Sequence, residues 1–150
     1  MEYMLSNSVS YTDFYDPLKK SIGGQAQREP TREQINNGKK IARIIDLFLL
    51  SNPNCSVGYT SFFRSWLENK RVGGSPTSNH PDGLSLDFEV FCNGRENNSI
   101  FYNWIRNSGI VFDQLILSNS ISNPTSIHLG MGKKMRGQIL LEVDGKYKNI

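Results

Sequence analysis

The run Leu84-Ser85-Leu86-Asp87-Phe88-Glu89-Val90 alternates apolar and polar side chains without a break. Such a period of two is the pattern of an extended strand, with Leu84, Leu86, Phe88 and Val90 turned to a core. Ser85, Asp87 and Glu89 then occupy the opposite face, so the carboxylate of Asp87 is carried on a rigid element and away from the apolar side. Just upstream, Ser78-Asn79-His80-Pro81-Asp82-Gly83 is a Gly/Pro/Ser-rich loop, a setting in which a histidine is not expected to be a packed core residue. The chain has only two histidines, His80 and His128, so their surroundings are informative.

The remaining elements follow from pattern. Thr31 and Gln34 have capping-box spacing, and Ile41, Ile44, Ile45, Phe48 and Leu49 repeat as one apolar helical face that Asn52-Pro53-Asn54 ends. A short strand is expected over 56–60 and a helical turn over 64–70, before the Val72-Gly73-Gly74-Ser75-Pro76-Thr77 loop. Ile100, Phe101, Trp104 and Ile105 predict a second amphipathic helix closed near Ser108-Gly109. Strands are expected over 111–117, 127–131 and 138–143, and Asp144-Gly145 is a two-residue hairpin signal. Helices early and strands late give an α+β class, with a small antiparallel sheet and two or three packed helices. At 150 residues the chain has room for one core. Residues 1–30, broken by Gly23-Gly24-Gln25 and Glu29-Pro30, are expected to form an N-terminal arm with little core, leaving 31–150 as the domain.

A net charge of +3 is too small a surplus to argue for nucleic acid. Residues 44–50, the longest apolar stretch, are interrupted by Asp46 and far short of the ~20 residues that span a bilayer, so no membrane insertion is expected. The first residues lack a basic segment followed by an apolar one, which fits cytoplasmic synthesis without a signal peptide. Cys55 and Cys92 are too few for a disulfide framework or a thiolate zinc site and are expected to be small buried thiols.

His128 occupies the face of its own strand opposite Ile127 and Leu129. If that strand and the Asp87 strand share a sheet, two imidazoles and one carboxylate can converge. That is the ligand set of a catalytic zinc with an open fourth position. Spacing alone leaves a second reading, in which the same residues serve as loop hydrogen-bonders.

Several motifs, in order, carry a resemblance. Ser61-Phe62-Phe63-Arg64-Ser65, Asn69 with Val72-Gly73-Gly74-Ser75, and Ser78-Asn79-His80-Pro81-Asp82-Gly83-Leu84-Ser85-Leu86-Asp87 resemble the S-x-x-R-S, N-x-x-V-G-G-S and S-x-H-x-x-G-x-x-x-D run of the M15 zinc peptidases. These are D-Ala-D-Ala carboxypeptidases and phage endolysins, related in fold to the Hedgehog signalling domain. Phe112-Asp113-Gln114-Leu115-Ile116 is similar to the family's F-D-Q-L-I segment, and Ile127-His128 to its terminal ligand strand. The resemblance spans roughly residues 31–131. It implies Zn²⁺ held by His80, Asp87 and His128, and Arg64 as a substrate-binding residue whose planar fork suits a peptide carboxylate. Ser78 matches a position that supports the site, and equally suits a turn. Gly73, Gly74 and Gly83 are expected to meet backbone demands.

One departure matters. The family places a glutamate shortly after F-D-Q-L-I as the base for the metal-bound water, whereas residues 116–128 here contain no acidic residue and Ser118 stands at that position. A serine hydroxyl does not replace a carboxylate base. Asp113 and Glu142 are the nearest acidic candidates in sequence, each more simply a solvated strand or turn residue. The resemblance therefore implies a zinc peptidase-like domain acting on or binding peptidoglycan stem peptides. Its alternative is an inactive wall-binding or phage virion module, associated with particle proteins or released to the wall through a holin. Lys133, Lys134, Arg136, Lys146 and Lys148 are expected to form a solvated basic hairpin, with contact to anionic wall polymers as the alternative.

Overall fold

The computed structural model describes residues 3–18 and 27–150; the Gly23-Gly24-Gln25 breaker lies outside the described residues. Among the described residues, helices α1 (Tyr11–Phe14), α2 (Arg32–Ser51), α3 (Trp66–Arg71) and α4 (Ser99–Ser108) accompany seven strands. These are β1 (Cys55–Ser61), β2 (Ser85–Cys92), β3 (Arg95–Glu96), β4 (Gln114–Ser118), β5 (Ile127–Gly130), β6 (Gln138–Val143) and β7 (Lys146–Asn149). The class is α+β, with the strands in one sheet of order β1-β2-β5-β4-β6-β7 and β3 paired to β2.

The sheet corrects the expectation of a small, antiparallel one. β4 pairs β5 antiparallel but β6 parallel. The second edge of β5 is taken by β2, so β6 passes to the far edge of β4. A strand that reverses direction after β5 and pairs with β4 must run parallel to β4. β6 and β7 close as the antiparallel hairpin that Asp144-Gly145 signals, both residues having positive φ (51° and 75°).

Two compact units divide the fold, residues 1–46 with 61–86, and 47–60 with 87–150. In the first, the start of α2 is capped as its sequence predicts: the Thr31 N–H donates to Gln34 Oε1 (2.8 Å) and the Gln34 N–H to Thr31 Oγ1 (3.3 Å). Ile41, Ile44 and Ile45 are buried along its apolar face. Among the described residues that precede α2, Leu5, Val9, Phe14 and Tyr15 are buried. Phe14 stacks edge-on against Phe62 (4.8 Å between centroids), and lies where a Cβ at Gly38 would collide with its ring. Asp46, which interrupts the apolar stretch of α2, accepts from Ser6 Oγ (2.9 Å) and from the N–H groups of Asn7 (3.1 Å) and Ser8 (2.9 Å).

In the second unit, Phe88, Val90, Phe101, Leu115, Leu117, Ile127 and Leu129 build the core. Phe101 meets Phe88 (4.8 Å) and Phe48 (5.1 Å) edge-on. α4 ends at Gly109 in the left-handed conformation, as expected from Ser108-Gly109. Cys55 and Cys92 are not free thiols. They close a disulfide between the first residue of β1 and the last of β2, neighbouring strands whose pairing brings the two Cα atoms to 4.0 Å. No helix among the described residues is long and apolar enough to cross a membrane.

Candidate metal centre

His80 begins a single 3-10 turn, His80–Asp82, which leads into β2. The turn is held from α2: Gln34 Nε2 donates to Pro81 O (2.9 Å) and Asn37 Nδ2 to Asp82 O (2.9 Å). Gly83 closes it with φ +72°, and a Cβ there would collide with the Gln34 carbonyl, so only glycine meets both demands. The His80 ring is buried, contrary to its loop setting in the sequence, at 3% exposure. Its Nδ1 lies 2.7 Å from Phe62 O. A carbonyl oxygen only accepts, so Nδ1 carries the proton and Nε2 carries the lone pair, the tautomer of a metal ligand.

Asp87 and His128 come from neighbouring strands, β2 and β5. Both are half-buried, and His128 Nδ1 lies 2.7 Å from Asp87 Oδ1. One ligand atom from each of His80, Asp87 and His128 lies within 4.8 Å of the others, and the three can hold a metal ion. Two imidazole nitrogens and a carboxylate oxygen form a borderline-hard set suited to zinc and its neighbours in the first transition row. The donor chemistry fits the ion, and the second contact of His80 is the kind that orients a ligating imidazole.

No family model and no curated protein matches the chain.

Arg64 stands beside the His80 turn, its backbone N–H donating to His80 O (3.3 Å). Nη1 of its guanidinium donates to Asn69 Oδ1 (3.1 Å) and Nη2 to Ser61 Oγ (3.0 Å). Asn69 also donates from Nδ2 to Ser75 O (2.9 Å). A Cβ at Gly74 would strike the same Asn69 amide, which gives that glycine a steric reason. Ser61 and Asn69 thus position the arginine. Both lie in the motif segments, but only packing shows what they do. Ser78 accepts from the His80 N–H (3.2 Å) and so acts on the turn's backbone.

The acidic candidates are not brought to the ligands. Asp113 is buried at 4% exposure, not solvated, and takes the fork of Arg136 through Nε (2.7 Å) and Nη2 (3.0 Å). Those charged hydrogen bonds hold its carboxyl below the usual carboxylate range, against burial, which pushes the other way. Arg136 is likewise no free basic side chain.

The register places the other positions. Ile116 pairs with His128, so Ser118, two residues along β4, shares the face of His128. Ser118 pairs in turn with Glu142 on β6. Glu142 is therefore on the same face, yet strand spacing and rise put its Cα about 12 Å from that of His128, against about 8 Å for Ser118. Its Oε1 accepts from the Gly145 N–H (2.6 Å), and Ser118 Oγ accepts from Ser126 Oγ (3.0 Å).

Proposed function

We propose that this chain is a zinc-binding, peptidase-like domain that binds peptidoglycan stem peptides and hydrolyses them slowly or not at all. The convergence of His80, Asp87 and His128 ligand atoms within 4.8 Å is the observation that carries the reading. The resemblance of the motif segments to M15 peptidases supports the substrate class. Zinc held there would supply Lewis acidity and a water of lowered pKa.

The chain's own residues divide the remaining work. Arg64, fixed by Ser61 and Asn69 beside the His80 turn, pairs with a peptide carboxylate. Asp87 and His128 are in contact, with His128 Nδ1 2.7 Å from Asp87 Oδ1. At the position where the family has its carboxylate base this chain has Ser118, while Asp113 is paired with Arg136 and Glu142 holds the β6–β7 turn. General acid–base catalysis is worth about 10²–10⁴-fold, so its loss favours binding over turnover. The alternative is a catalytically inactive wall-binding or phage virion structural module that retains the fold.

Calorimetric titration of the zinc-loaded protein with a stem peptide ending in D-Ala-D-Ala tests the reading. Binding is expected, weakened about tenfold in Arg64→Lys, which keeps the charge and loses the fork. Equal affinity of both proteins, or no binding to either, would contradict it.

A further inference from the structure

A second feature lies on the exposed side of α4. Asn103 and Asn107 are one turn apart, as are Trp104 and Ser108, so the four form two adjacent rows. With Ile100, and Asn52 after the end of α2, they line an open cleft of about 380 Å³, within the range of small-ligand sites. The Trp104 ring is fixed from behind by Phe48 (5.4 Å, edge-on) and Phe101 (5.6 Å), both fully buried. Asn52 Nδ2 donates to Phe48 O (3.0 Å) and Asn107 Nδ2 to Asn103 O (2.8 Å). These bonds hold both side chains and leave their carbonyl oxygens as acceptors.

The lining is uncharged, so an ionic ligand would find no counter-charge there. An apolar ligand would strand three amides. A pyranose matches both parts: its C–H face lies on an indole, and its hydroxyl or acetamido groups pair with fixed amides. Ile100 supplies an apolar contact for an acetamido methyl. From this arrangement we infer that the α4 cleft binds a neutral, N-acetylated saccharide.

The test is titration of the full chain with the β-1,4-linked trimer of N-acetylglucosamine, following the Trp104 indole N–H resonance by NMR. Trp66→Phe, a change at an exposed residue outside the cleft, assigns that signal. The expected result is a saturable shift in zinc-loaded and metal-free protein alike, which separates this inference from the peptide reading. Asn103→Ala/Asn107→Ala, both exposed positions, should weaken binding about tenfold or more, with the Trp104 signal still dispersed. No shift with the trimer, or an undiminished one in the double variant, would overturn the inference. An equal response to the glucose trimer cellotriose would overturn its N-acetyl assignment.

Discussion

His128 and Ser118 stand on one face of the β4–β5 ladder, one strand and two residues apart, yet their neighbourhoods differ in kind. Around His128 the partners are a carboxylate at 2.7 Å and, within 4.8 Å, a second imidazole whose tautomer is set by a backbone carbonyl. Around Ser118 the partners are another hydroxyl and a glutamate turned to its own hairpin. Under the proposed function, the metal-ligand group is present on this sheet face while the position expected to transfer a proton carries a hydroxyl. Holding an ion and moving a proton depend on separate residues and fail separately.

Supplying a carboxylate at Ser118 is the largest expected change. Ser118→Glu returns a carboxylate to the face and distance at which Ser118 now stands, and should raise stem-peptide hydrolysis about 100-fold from its low base. Product release followed by chromatography reads this directly. A variant that keeps its metal and gains nothing would show that the two regions do not form one site. In the same assay Glu142→Gln should leave the rate unchanged, since its carboxylate belongs to the β6–β7 turn.

Asp113 sharpens the contrast from the structural side. Its carboxyl is held low in the folded protein, so its contribution is present above the unfolded pKa of ~3.9 and is lost as pH falls below that value. Asp113→Asn should lower unfolding free energy at pH 7 by about 1–3 kcal/mol. Urea unfolding of the two proteins should converge as the pH falls from 5 toward about 3. A constant gap across that range would mean the Arg136 pair contributes no charge-dependent stability.

The legible parts of the fold are the ones governed by local pattern. The α2 capping box, the alternation that turns Asp87 away from Leu86 and Phe88, and the Asp144-Gly145 hairpin all follow from neighbouring residues. Pairings distant in sequence were not legible: β6 joining β4 in parallel, Cys55 meeting Cys92 across β1 and β2, and Phe14 closing on Gly38. Each is settled by which edge or surface remains open once other elements have packed. The candidate site divides in the same way. His80, Asp87, His128 and Arg64 stand in recognisable segments, whereas Ser61 and Asn69 act through contacts that spacing does not encode. The burial of Asp113 escapes the sequence pattern because its partner, Arg136, lies 23 residues away in a loop with no pattern of its own.

Three side chains are proposed to hold a metal ion, and metal content reads this without a substrate. Protein purified without chelator and supplied with zinc should carry about one equivalent per chain. His80→Ala and His128→Ala should each lose it while circular dichroism shows the fold retained. Zinc absent from the wild type, or bound undiminished by both variants, would contradict the assignment.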